Sequence, residues 1–181
     1  MTPTETLKHE HQIIGLVLEA ARREVQSIEQ TRRIRAERLE KIVDFVKSFA
    51  DRCHHAKEEG HLFARMRERG MPAQSGPIAV MLREHDEGRR RIAAVVEALP
   101  DARKGVPSAV EAVRTNLLAY VELLTAHIAK EDNVLYPMAD RLLTADDQRA
   151  LAEAFEEVEA KEIGAGVHDK YHRLAHDLSE D

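Results

Sequence analysis

The sequence predicts an all-α protein: an up-down-up-down four-helix bundle with one or two extra C-terminal helices. Three observations lead there. Apolar residues recur at helical spacing along four long segments, and strand-like alternation is absent. Only 4% of residues are aromatic and there is no Trp, so Val, Ile and Leu must fill the core of a chain that is 43% hydrophobic. Gly and Pro cluster at a few points and leave short loops, so neighbouring helices should run antiparallel.

Each element has its own signals. Thr2-Pro3-Thr4-Glu5 reads as a capping box with Pro at the first helical position. The first helix should run to about Ile28, its seam holding Leu7, Ile14, Leu18, Ala21 and Val25 with His11 at the missing step. The second should begin between Thr31 and Ala36, reach about Arg69 and stop at Gly70 and Pro72. The third spans Pro77 to Leu99-Pro100, its seam carrying Ile78, His85, Ile92 and Leu99. The fourth follows Pro107, where Ser108-x-x-Glu111 reads as another capping box. Its seam holds Val113, Leu117, Val121, Leu124, Ile128 and Glu131, and Pro137 should kink or end it near Leu142. Thr144-x-x-Asp147 opens a fifth helix to about Ile163. Gly164 and Gly166 precede a sixth, Val167 to Leu178. Residues 1–143 are expected to form the bundle and 144–181 a helical appendage packed on it.

Composition narrows the function. A formal charge of −6 offers no basic patch for nucleic acid. Cys53 is the one cysteine, which excludes an internal disulfide and a zinc site built on several thiolates of this chain. The N-terminus has no apolar signal region, and no stretch approaches a membrane span. The expectation is a cytoplasmic protein without membrane or nucleic-acid partners. No phosphate loop, zinc-protease motif or Ser/His/Asp arrangement is evident.

The strongest signal is a repeat. His54-x3-Glu58-x3-Leu62-Phe63 and His127-x3-Glu131-x3-Leu135-Tyr136 follow one pattern, and Glu10-His11 is echoed by Glu84-His85. The second copy trails the first by 73 or 74 residues. A His and a Glu four apart share one helix face. In an antiparallel bundle the depths of His11, His54, His85 and His127 bring all four helices to one level. His11, His85 and Glu131 also interrupt otherwise apolar seams. Burying such groups costs several kcal/mol unless a partner, proton or metal compensates. His11, His54, Glu58, His85, His127 and Glu131 therefore form a candidate metal site. Six ligands fit two iron ions, with Glu58 and Glu131 bridging, two imidazoles per ion, and an oxo or hydroxo bridge completing five ligands. Imidazole plus carboxylate suits iron, manganese or zinc. An open position on each ion would admit a small diatomic or peroxide, with an electron donor that the sequence does not identify.

On the second helix the register His55-x3-Glu59 competes with His54-x3-Glu58. The internal copy favours His54. At about 100° per residue, His54 lies roughly 50° from the centre of the Leu39-Val43-Val46-Ala50 stripe and His55 nearly opposite it. His168, Tyr171 and His172 on the last helix are candidates for an additional ligand or a supporting hydrogen bond, against the plainer reading of a solvated face. Arg89 reads as a salt-bridge former or as a cation orienting a bridging carboxylate or bound peroxide. His9 and His61 read as surface residues.

The residues His11 to Tyr136 resemble the hemerythrin-like family, the HHE cation-binding domains. The match is nearest to members with four His and two Glu, such as iron-sulphur-cluster repair proteins, although the paired N-terminal cysteines of those proteins have no counterpart here. Oxygen-carrying hemerythrins have His-x3-His on the third helix; here His85-x3 leads to Arg89. The resemblance implies a non-haem di-iron centre reacting with oxygen, nitric oxide or peroxide, as an oxidoreductase or as a sensing or repair module, rather than an oxygen carrier.

Overall fold

A computed structural model of the chain describes residues 1–164 and 167–180, apart from the side chains of Glu162, Ile163, Val167 and His168. Four helical rods form the bundle. Helix α1, Pro3–Thr31, is the first. Thr2 caps it as expected: its hydroxyl accepts from the Glu5 amide, and the Glu5 side chain accepts from the Thr2 amide. The second rod joins α2, Ala36–Phe45, to π-helical segments π1, Val46–His55, and π2, Glu58–Leu62, and then to α3, Phe63–Glu68. The third rod is α4, Gly76–Arg103. The fourth joins α5, Pro107–Lys130, π3, Glu131–Leu135, and α6, Tyr136–Leu142. No strand occurs among the described residues.

Several local expectations need correction. Ser108 does not cap the fourth rod; Val106 holds that position without a side-chain bond, and Glu111 instead accepts from Arg114 and Thr115. Helix α4 runs through Pro100 to Arg103. The π segments were not anticipated, and π3 has a visible cause. Pro137 has no N–H to give to the carbonyl four residues back, and the turn before it widens. The widening falls at equivalent places in the repeat, since π2 begins at Glu58 and π3 at Glu131.

Apolar packing holds the site from both ends. One core cluster gathers Val17, Ala21, Phe45, Phe49, Ile92, Val113, Leu117 and Val121; the other gathers Leu7, Leu62, Phe63, Met66, Ile78, Leu135 and Tyr136. Helix α7, Ala145–Val158, continues through π4, Glu159–Ile163, and is followed by α8, Val167–Glu180. Leu151 and Phe155 join the second cluster; Tyr171, Ala175 and Leu178 join the first. Glu24, fully buried in α1, accepts from Arg35 and Arg38, and Arg23 and Arg38 donate to the Leu178 carbonyl. That network ties the end of α8 to the first two rods. No described helix is long and apolar enough to cross a membrane.

Candidate metal centre

All six residues of the repeat meet in the middle of the bundle, with a seventh. His11, His54, Glu58 and Glu131 form one buried cluster; His55, Glu58, His85 and His127 form another. Within each, the candidate ligand atoms lie within 4.8 Å of one another. Glu58 belongs to both. Glu131 also reaches across, Oε2 lying 3.2 Å from His11 Nε2 and Oε1 3.1 Å from His127 Nε2.

His55 corrects the angular argument. Both His54 and His55 are buried. They stand at the end of π1, ten residues of π-helix. With bonds to the fifth residue back, each residue advances the helix by less than the 100° of an α-helix. The lag accumulates along π1, so two consecutive imidazoles turn inward. A pattern built on α-helical spacing could not show this. The centre is therefore unequal, with two imidazoles on one side and three on the other.

Outside the imidazoles stands a ring of carboxylates. The Nδ1 atoms of His11, His54, His85 and His127 lie 2.8, 2.8, 2.7 and 2.9 Å from oxygens of Asp132, Glu10, Glu59 and Glu84. His55 Nδ1 lies farther, 3.3 Å, from Asp51. Each carboxylate accepts the Nδ1 proton, which fixes ring and tautomer and turns the Nε2 lone pair inward. Most of these acceptors are held by cations in turn. Lys57 donates to Glu10 and, at 2.6 Å, to Glu159; Lys130 donates to Glu84; Arg89 donates to Asp51 at 2.9 Å and Glu59 at 2.7 Å. This ring obeys the repeat. Glu10 corresponds to Glu84, Lys57 to Lys130, and Glu59 to Asp132, all 73 or 74 residues apart. The Glu-His pairs and the Lys before each Glu signalled it in the sequence.

The inner atoms do not satisfy one another. Nε2 of His85 and Nε2 of His127 are 3.0 Å apart. Oε2 of Glu58 and both carboxylate oxygens of Glu131 are buried without a hydrogen bond. Their short contacts to imidazole nitrogens bring lone pair against lone pair once Nδ1 holds the proton. Such a centre requires cations, either metal ions or additional protons. With protein groups alone, protons fill the need. Burial opposes an imidazolium at His11, but Asp132 and Glu131 push it up to about 9. Burial likewise opposes charge on His85, and Glu58 and Glu59 push it up to about 10. Inward lone pairs, orphaned carboxylate oxygens and anchored rings fit metal ions directly.

Tyr136 completes the interior. Its hydroxyl donates to Glu58 Oε1 at 2.6 Å and lies 3.3 Å from His11 Nε2. Burial, then Glu131 and Glu58, holds its phenol well above the ordinary range and protonated. Its repeat counterpart, Phe63, has no hydroxyl. The other candidates stand apart from the two clusters. Among the described residues Arg89 pairs with Asp51, Glu59 and Asp86 rather than with Glu58 or Glu131. Tyr171 donates to Asp44 at 3.1 Å and packs on Phe45. His172 lies against Phe49 and His9. The His168 side chain is outside the described residues. The C-terminal segment reaches the centre by another route, Glu159 through Lys57 and Glu10 to His54.

A helical bundle with imidazoles and carboxylates converging at mid-height defines a metal-binding bundle protein. Residues 2–139 match the hemerythrin HHE cation binding domain, and the chain belongs to that family. Among curated proteins it is similar to ones described as uncharacterized from Mycobacterium bovis and Mycobacterium tuberculosis, 24% identical over 164 residues. That alignment covers 91% of this chain, and the chain spans 64% of the length of those relatives. No solved structure matches it.

Proposed function

We propose that the chain is a di-iron protein that binds and reduces a small ligand, oxygen, peroxide or nitric oxide. His11, His54, Glu58 and Glu131 would hold one iron, and His55, His85 and His127 with the same two carboxylates the other. The observation that carries this reading is the inward set of Nε2 lone pairs beside unpartnered oxygens of Glu58 and Glu131. Imidazole and carboxylate without thiolate suit iron. When bound, the iron pair supplies electrons and Lewis acidity. The protein's own part is placement. The outer carboxylates lock the rings, the two glutamates span both sides, and Phe63, Leu62 and Leu135 exclude water. Tyr136 keeps a proton beside Glu58, available to a reduced ligand. Equal sharing would leave both irons alike; the fifth imidazole instead leaves the His11 and His54 side with fewer protein ligands.

The test is metal content followed by peroxide addition. Reconstituted protein should hold close to two irons per chain, show oxo-to-iron absorption in the near ultraviolet, and consume peroxide. Folded protein retaining less than half an iron, or a stable reversible oxygen adduct, would overturn the assignment. A sensing role is the second reading. It is favoured by the Glu159–Lys57–Glu10–His54 chain, which connects occupancy of the site to the C-terminal helices. Occupancy that protects α7 from amide exchange without peroxide turnover would support it.

A further inference from the structure

The repeat matches the two hairpins residue by residue, so what covers one copy indicates what suits the other. In the first hairpin, α7 packs against α1 and π2, and its Leu151 and Phe155 join the apolar cluster of Leu7 and Leu62. Glu159, four residues beyond Phe155, accepts from Lys57 at 2.6 Å. The Phe155 ring lies beside the same ammonium, its centroid 5.7 Å from Lys57 Nζ, and Lys57 is fully buried. At the start of α7, Asp147 accepts from Arg69 at 2.8 Å and lies 3.6 Å from Arg65. The helix therefore runs antiparallel to the second rod and presents Asp147, Leu151, Phe155 and Glu159 to it at four-residue steps.

The second hairpin has the equivalent groove, left open. Pro77, Val80, Met81, Lys130, Val134 and Leu135 line a space of about 300 Å³. They follow Pro3, Thr6, Leu7, Lys57, His61 and Leu62 by 73 or 74 residues. Val134 is 50% exposed. Lys130 differs from Lys57 in the same sense. Its side chain is 42% exposed, and among the described residues it pairs with Glu84 alone, whereas Lys57 pairs with both Glu10 and Glu159. An apolar groove with a cation at one end is the form that receives an amphipathic helix.

The lining also says which helix. Where Arg65 and Arg69 hold Asp147, the second hairpin carries Met138 and Leu142. The α7 of a second copy would set Asp147 against those side chains without a cation, and an unpaired carboxylate there opposes docking. We propose that this groove docks an amphipathic helix of a partner protein, lying antiparallel to the fourth rod. The helix carries apolar side chains at three successive four-residue steps and an acid at the fourth, paired with Lys130. Docking covers Val134 and gives Lys130 its second acid. It thereby reaches His127 through Glu84, as Glu159 reaches His54 through Lys57 and Glu10. The inference does not depend on which metal the centre holds.

The probe is a peptide copying residues 144–161 with Asp147→Leu, stapled as a helix through positions 149 and 153, which are exposed in α7. Fluorescence anisotropy with the full-length chain should show saturable binding. Glu159→Gln in the peptide should weaken it at least threefold, and so should leaving Asp147 in place. Val134→Arg in the protein, at its exposed position, should weaken binding at least tenfold with metal content and melting temperature unchanged. Bound peptide should slow amide exchange along π3 and α6 and leave α7 unchanged. No saturable binding, or binding that Val134→Arg leaves within twofold of the parent, would overturn the proposal. Faster exchange in α7 would overturn it too, because the peptide would then be replacing α7 on the first hairpin. Self-association of the parent chain that Val134→Arg abolishes would assign the groove to a second copy and overturn it equally.

Discussion

His54 and His55 show what one side chain's direction decides. Either alone would give a symmetric or a shifted site; together they give an unequal one. His55→Ala should leave the His11 and His54 side able to hold metal and lower iron from about two per chain toward one. His54→Ala should remove metal from the other side. Metal analysis of the two variants after identical reconstitution distinguishes them, and equal, complete retention in His55→Ala would mean that the fifth imidazole holds nothing. The outer acceptors carry a separate expectation. Glu84→Ala strips His127 Nδ1 of its acceptor and leaves Lys130 without its carboxylate. Loss of such a supporting group typically weakens metal binding 10- to 100-fold. Competition against a chelator should show that loss with helicity intact, whereas Glu87→Ala, at an acid paired among the described residues with Arg90 and Arg91, should change nothing.

At the scale of elements, the π segments aim the ligands. Segment π1 owes its wider winding to additional residues per turn. Deleting Arg52, on its exposed face, should let the segment relax toward α-helix and swing His54 and His55 out of register. Helical circular dichroism should survive and iron binding should fall sharply; unchanged iron content would mean that the winding is incidental. The sequence already located most of what matters here. Thr2, Pro3 and Glu5 announced the start of α1, and Thr144 with Asp147 announced α7, because caps are local chemistry. The three seam interruptions, His11, His85 and Glu131, were legible because a polar group in an apolar stripe stands out. His55 was not, since its direction depends on a hydrogen-bond ladder that residue spacing does not encode.

Across the whole molecule the repeat makes two hairpins meet at one centre, and the centre couples protonation, metal and stability. In the metal-free fold, His11 and His85 sit near 9 and 10, raised from an ordinary 6.5. A raised histidine contributes stability that is complete below about 6.5 and lost as pH climbs through its folded value. Metal-free protein should therefore melt at progressively lower temperature from pH 7 to pH 10. Metal binding must expel those protons, so affinity should rise with pH over the same interval. A metal bound only by the native state would stabilise it by mass action, and the loaded protein should then lose less of its melting temperature on that climb. Parallel thermal melts of the two forms read this directly; identical pH profiles would detach the imidazoles from the metal.

The most direct measurement is an anomalous-scattering map at the iron edge, collected from crystals of the reconstituted protein. The account predicts two peaks flanked by Glu58 and Glu131, one beside His11 and His54, the other beside His55, His85 and His127. A single peak, or two peaks with His55 turned away from both, would contradict it.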